Sequence, residues 1–334
     1  TLIFGDEASI DDIVWTGRLE TLREKATKSG VVKILPSKEI HTFCQKAIAQ
    51  NRTIHYLPPY QGYNKILLAE LTQTQIPNLQ PSEAFIKAVV QQRAVKEEQE
   101  IHEIEKALTT TVEMHKLAMR ITKAGMKEYE IINAMRHYAE DQGCTFAYPP
   151  IVTKHGEILH NLYSHHTLAE GDMILNDSGC ETDKGYAADL TRTYPVASKF
   201  SSVQRDIYTI VHQAITSASK ILSPQIKFKE VHLRSVTSLM EGLKDLGIVK
   251  GNIEDAVQAN AFTLFFQCGT GHMMGLDVHD MEDLGEQYVG YTEDEPKDTT
   301  TFGWKSLRLA KKLETGNVLT VEPGIYFIPT LIDM

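Results

Sequence analysis

The sequence predicts two domains of different class, an α/β unit over residues 1–80 and an α+β unit over residues 81–334. Three observations lead there. Short apolar runs alternate with helical stretches in the first part, which is the layout of a mainly parallel sheet with crossover helices. In the remainder, helices with one apolar stripe gather beside consecutive strand-like runs, with a hairpin among them. Between the two, Pro77 and Pro81 flank Asn78-Leu79-Gln80 and punctuate the chain as a linker would. A chain of 334 residues is long enough to bury two ordinary cores.

Taken in order, Thr1-Leu2-Ile3-Phe4 and Val31-Val32-Lys33-Ile34-Leu35 read as buried strands closed by Gly5 and Pro36. Ile10 to Lys28 and Lys38 to Gln50 read as helical stretches, and Thr53 to Leu57, ahead of Pro58-Pro59, as a third strand. Ser82 is placed to cap a helix. Ile101, Ile104, Leu108, Val112 and Leu117 then keep the spacing of one buried helical stripe, which Gly125 closes. Glu128 to Asp141 forms another helix, ended by Gly143. Strands are expected around Ile151 to Thr153, Asp172 to Leu175, Tyr186 to Val196 and Val318 to Val321, with helices over 202–222 and 229–246. No internal repeat or low-complexity tract is evident.

Charge and composition exclude several classes. Lys and Arg number 34 against 44 Asp and Glu, a net charge of −10 without any basic block. Such a chain is a poor binder of nucleic acid or of an anionic membrane surface. No apolar run approaches the roughly 18–20 residues that span a bilayer, and Thr1 opens no secretory leader. Cys44, Cys144, Cys180 and Cys268 are scattered without CxxC spacing. They read as thiols of a reducing compartment, so a cytoplasmic protein is expected.

The chemistry concentrates in three segments. In the first, strand-like runs flank the turn Thr182-Asp183-Lys184-Gly185, and Asp177 and Asp189 are centred close to it. They are expected to face each other, with Cβ atoms about 5 Å apart. Two carboxylates at that distance repel unless a proton or a cation lies between them. A divalent metal resolves this; a solvated acidic hairpin, or pairing with Arg192, is the alternative. The second segment, Gly269 to Asp280, sets His272 and His279 in a glycine-rich, otherwise apolar stretch, where each is either a satisfied core residue or a site residue. In the third, Glu322 ends an apolar run just before Pro323-Gly324, where it either caps the turn or points into a cleft. His160, after Ile158-Leu159, is a further candidate, whereas His165 and His166 read as surface residues.

Four stretches occur in a telling order: Asp177-Ser-Gly-Cys-Glu181, Gly185-Tyr-Ala-Ala-Asp-Leu-Thr-Arg-Thr-Tyr-Pro195, Gly271-His-Met-Met-Gly-Leu-Asp-Val-His-Asp280 and Val321-Glu-Pro-Gly-Ile-Tyr326. Together they resemble the pita-bread metallopeptidases, in the group of Xaa-Pro aminopeptidase (aminopeptidase P) and prolidase. The likeness runs over nearly the whole chain. Residues 1–80, with Phe4-Gly5-Asp6 and Trp15-Thr16-Gly17, look like the C-terminal part of a creatinase-type N-terminal domain. Residues 81–334 look like a pita-bread catalytic domain lacking its C-terminal end.

The resemblance implies that Asp177, Asp189, His272 and Glu322 are metal ligands, Asp189 bridging two ions. His160 and His279 would position the substrate and stabilise the tetrahedral intermediate. Oxygen-rich ligation with one imidazole suits two divalent ions, Mn²⁺ first and Co²⁺ or Zn²⁺ next. The implied reaction releases the N-terminal residue from peptides with proline second, by an enzyme that is a homodimer and has no nucleic-acid or membrane partner. The alternatives are an Xaa-Pro dipeptidase (prolidase) and a non-catalytic relative that keeps the cleft for peptide or protein binding. Two features depart from the family pattern. Gln267-Cys268-Gly269 stands where Pro-His-Gly is usual, which replaces a hydrogen-bonding histidine by a weak thiol donor. A fifth ligand, a glutamate on a later strand, is expected some tens of residues beyond Tyr326, past Met334.

Overall fold

A computed structural model of the chain describes residues 1–333. They form two compact units, Thr1–Lys87 and Ala88 onward.

In the first unit, β1 (Leu2–Phe4) and β2 (Lys33–Leu35) pair in parallel, Ile3 opposite Ile34. The expected single helical stretch between them is two helices, α1 (Ile10–Thr16) and α2 (Leu22–Lys28). Gly17, at φ 74°, takes a left-handed conformation that a helix cannot continue through. Thr21 then restarts the chain: its hydroxyl accepts the Glu24 N–H, and Glu24 accepts the Thr21 N–H at 2.7 Å. Helices α3 (Ile40–Ala49) and α4 (Gly62–Thr72) follow. Thr53 to Leu57, expected as a third strand, carries no strand pairing. α5 (Glu83–Ala94) runs across the division between the units.

In the second unit, α6 (Glu98–Ile121) opens with Glu100 accepting the Glu97 N–H at 2.8 Å. It buries Ile104, Ala107, Thr111, Met114 and Ala118, alternating steps of three and four that keep one face inward. α7 (Glu128–Asp141) answers with Ile131, Met135 and Ala139. Their core also takes Val152, Ile174 and Tyr194 from a three-stranded antiparallel sheet. Its order is β4 (Ile151–Thr153), β5 (Met173–Asp177), β7 (Thr191–Pro195). Two shorter strands, β3 (Thr145–Phe146) and β6 (Cys180–Glu181), pair beside it.

α8 (Ser202–Lys220) and α9 (Phe228–Asp245) build a second core around Leu239, Met240, Leu243, Phe262 and Phe266. They pack tightly at Gly242, where an added Cβ would lie 2.6 Å from Ile210. The expected strand at Val318 to Val321 is a single bridge, Met273 opposite Leu319. Even so, three backbone bonds hold this run against the glycine-rich segment. Met274 donates to Val318, Thr320 to His272, and Glu322 to Thr270 at 2.7 Å.

No repeat is visible in the residue identities, yet the two helix pairs share a design. α7 and α9 each begin after a lysine, Lys127 and Lys227. In each, a glutamate three residues on accepts that lysine's backbone N–H, Glu130 at 2.7 Å and Glu230 at 3.4 Å. Each lysine also makes a lone antiparallel bridge, to Thr167 or Lys312. The first helical residue is fully buried in both: Glu128 in α7 and Phe228 in α9.

Candidate metal centre

The hairpin brings Asp177 and Asp189 to one face, in a register that differs from expectation. Asp177 pairs with Thr191, and Ser178 donates to Leu190, so the hairpin is centred on Lys184, one residue past the midpoint of Asp177 and Asp189. Asp189 is therefore a diagonal neighbour of Asp177, not its direct opposite. Both still point the same way, because residues two apart on a strand share a face. The strands meet at Gly179, where a Cβ would stand 1.8 Å from the Ala188 carbonyl oxygen. Only a glycine allows that approach.

Tyr148 joins the two acids. Its hydroxyl lies 2.6 Å from Oδ1 of Asp177 and 2.5 Å from Oδ1 of Asp189. One O–H cannot satisfy two charged carboxylates together. Burial and the neighbouring Asp189 charge push Asp177 up to about 7. Burial also disfavours ionised Asp189, but hydrogen bonds from His272 and Tyr148 outweigh it and hold that carboxyl below its usual range.

His272 and Glu322 arrive on the paired backbones described above. The His272 N–H donates to the Thr320 hydroxyl at 3.0 Å, and that hydroxyl donates to Oε1 of Glu322 at 2.8 Å. Gly271 permits the approach, since a Cβ there would lie 2.1 Å from the Thr320 carbonyl oxygen. Nε2 of His272 is 3.2 Å from Oδ2 of Asp189 and 3.2 Å from Oε1 of Glu322. Donor atoms of Asp189, His272 and Glu322 all lie within 4.8 Å of one another.

This donor set fits a divalent ion. Nδ1 of His272 faces the Met273 carbonyl at 3.0 Å, so the proton of a neutral ring sits on Nδ1. That leaves a lone pair on Nε2 directed at two carboxylates, an arrangement that needs a proton or a cation. Among protein groups alone, burial opposes the charged ring, but bonds to Asp189 and Glu322 prevail and raise it to about 10. A cation does the same work for all three donors. Neighbouring donors around an ion bound at about 2.0–2.2 Å stand about 3 Å apart, close to the separations seen.

The other expected residues lie around this cluster. The His279 ring packs edge-on against His272, with centroids 4.3 Å apart, and its Nδ1 is 3.5 Å from Glu282. His160 is exposed on the loop after β4. Cys268 shares a hydrogen bond with Tyr326. Burial, reinforced by the Glu322 charge, pushes its thiol up to about 12. His166, read as a surface residue, is half-buried and bonded to Glu128. Arg192, the alternative partner for the hairpin acids, instead donates to the Thr191 carbonyl.

Two features were not singled out in the sequence. One is Tyr148. The other is a buried ion cluster in which Lys96 and Arg93 hold Asp280 at 2.7 and 2.5 Å. It ties the end of α5 and the connection before α6 to the segment carrying His272 and His279. Asp280 follows His279 directly, which was the only hint available.

Residues 102–333 match the family model for metallopeptidase family M24. The chain belongs to that family. All six expected site residues fall inside the matched span. Among the M24 relatives, the Xaa-Pro aminopeptidase of Escherichia coli K12 is 30% identical, over 98% of this chain and 72% of its own length. Human Xaa-Pro dipeptidase is 33% identical, over 73% of this chain and 50% of its own length. A solved variant of E. coli aminopeptidase P in complex with substrate superposes with a TM-score of 0.78 at 28% identity. That likeness covers 97% of this chain and 71% of the other. A zinc-substituted form of the same enzyme in complex with product fits equally well, with a TM-score of 0.78. The M24 unit here has the pita-bread fold, two helix pairs backing strands that carry the donor cluster.

Proposed function

We propose that this chain is a metal-dependent peptidase that hydrolyses the bond before proline in Xaa-Pro peptides, as an aminopeptidase. The observation that carries this is the convergence of Asp189, His272 and Glu322 within 4.8 Å, beside Asp177 and in an M24 chain. Asp177, Asp189, His272 and Glu322 are the ligands in this reading. When bound, divalent ions supply a nucleophile at neutral pH and polarise the scissile carbonyl. Asp189 has its two oxygens facing different partners, Tyr148 and His272, which suits it to bridge two ions. His279, with Nδ1 beside Glu282, keeps Nε2 for the peptide. His160 meets the peptide from the exposed loop. Tyr148 fixes the orientation of both hairpin acids.

The carboxylate-rich donor set supports Mn²⁺ as the native metal, with Co²⁺ and Zn²⁺ as competitors. The parallel β1–β2 pair with its crossover helices supports a creatinase-type N-terminal domain. The four unpaired cysteines support a reducing, cytoplasmic setting. The family resemblance supports a homodimer.

One observation favours the dipeptidase reading. Arg308 is paired with Glu286 and with Glu282, which stands 3.5 Å from Nδ1 of His279, and a free C-terminal carboxylate would compete with those two acids for its guanidinium. Metal analysis with Mn²⁺-supplemented assays on an Xaa-Pro-Xaa tripeptide and an Xaa-Pro dipeptide separates the readings. Turnover of the tripeptide supports the aminopeptidase, and turnover of the dipeptide alone the dipeptidase. No bound metal and no turnover of either would leave only a binding relative.

A further inference from the structure

The loop from Lys154 to His166 carries His160 at its midpoint, and both of its ends are bonded to one carboxylate. That carboxylate, Glu128, has a fully buried side chain. Its Oε1 accepts the backbone N–H of Lys154 at 2.8 Å. Its Oε2 accepts the backbone N–H of His166 at 3.2 Å and faces the ring Nδ1 of His166 at 3.0 Å. The start of α7 holds the same end of the loop through its backbone, the Glu128 and Tyr129 N–H groups donating to the His166 and Ser164 carbonyls at 3.3 and 2.9 Å. Within the loop, the buried Thr153 hydroxyl accepts the His155 N–H at 3.0 Å and the Asn161 amide at 3.1 Å. Asn161 in turn accepts the Tyr163 N–H at 3.1 Å. The neck is closed and the interior braced, so the apex has little freedom.

Packing alone does not call for this acid. At the matching position of α9, Phe228 is equally buried and serves as a plain apolar plug. A buried carboxylate is costly unless its lone pairs are used, and here they are used by the two ends of a single loop.

We propose that Glu128 is a positioning residue for His160: by closing the neck of the 154–166 loop it sets where the His160 imidazole meets the peptide. It contacts neither a proposed ligand of the metal nor the reacting atoms. The inference rests on the reading of His160 as a substrate-positioning histidine.

The test is a double-mutant cycle on the full chain, loaded with Mn²⁺ and assayed on one Xaa-Pro tripeptide. Glu128→Gln keeps the size of the side chain but turns one acceptor into a donor facing an N–H. Its kcat/KM should fall by about tenfold, with metal content unchanged. Combined with His160→Ala, it should cost nothing beyond His160→Ala alone. A merely structural acid would give losses that multiply, and that result overturns the proposal. His160→Ala with full turnover would sink the underlying reading of His160 and the inference with it. Should Glu128→Gln fail to fold, His166→Ala removes the ring donor alone and enters the same cycle. A loss that disappears in the His160→Ala background supports the link; no loss, or one that persists, overturns it.

Discussion

The two helix pairs of the catalytic unit make an instructive contrast. The α6–α7 half presents Asp177 and Asp189 from a regular hairpin and Tyr148 from the segment before it. The α8–α9 half presents His272 and Glu322 from an irregular, glycine-rich pair of backbones held by three hydrogen bonds. One half has strand periodicity to aim its donors. The other relies on close backbone approach and on Thr320, whose hydroxyl bonds both partners. The difference recurs at the helix starts, where the same backbone device buries an acid in one half and a phenylalanine in the other. A repeated architecture therefore fixes where a side chain goes, while its chemistry is chosen locally.

Removing one donor from each half tests the contrast most severely. Asp189→Ala and His272→Ala should each lower turnover by about a thousandfold or more, with metal stoichiometry falling in parallel. Full metal content in either variant would show that its half does not share the site. Next in size is Phe228→Ala, which empties a packed apolar position. It should cost about 3–5 kcal/mol in denaturant unfolding, while turnover per metal-loaded molecule stays unchanged. A turnover defect there would mean that the second half also steers the cleft through its helix start.

The smallest effect is one of pH. Away from the donor cluster, each half holds an enclosed histidine on a helix, His115 on α6 and His232 on α9. Burial pushes each down to about 4. An unfolded histidine takes up its proton near pH 6.5, so between there and about pH 4 the unfolded chain binds more protons. Stability is then fully present above pH 6.5 and is lost as pH falls, by up to about 3 kcal/mol per histidine. Replacing His115 by Asn or His232 by Phe should flatten the acid limb of a thermal-melt series. An unchanged limb would place the acid sensitivity elsewhere, in the hairpin acids first.

Much of the site was legible where it depends on local pattern. The helices from Glu98 to Asp141 follow from the apolar spacing and the glycines at 125 and 143, although of the expected stripe Ile104 alone is buried and Ile101, Leu108, Val112 and Leu117 are half-buried. The shared face of Asp177 and Asp189 follows from strand periodicity, even though the turn centre lay one residue away. What the sequence hides is set by distant partners. Tyr148 reaches the acids from 29 residues before Asp177, out of a Tyr-Pro-Pro stretch that reads as plain loop. Val318 to Val321 has strand composition, but its partner is a glycine-rich segment too irregular for a regular ladder. Glu128 reads as an ordinary acid at a helix start; its burial is decided by a loop that folds back 26 and 38 residues later.

Gly179 and Gly271 have a consequence for how such a centre can evolve. Each sits where one backbone rests directly on another, with a Cβ clash of 1.8 or 2.1 Å, and each lies within two residues of a donor. No layer of side chains separates the crossing strands there, so the gauge between donors is set by bare main chain. Selection for a larger or smaller ion finds no bulky residue to trim at these crossings and no gap to fill. Metal preference in this architecture would drift by exchanging donor atoms rather than by resizing the cradle. A saturation library at these two glycines should return glycine almost alone, while neighbouring positions accept a broad spread of substitutions.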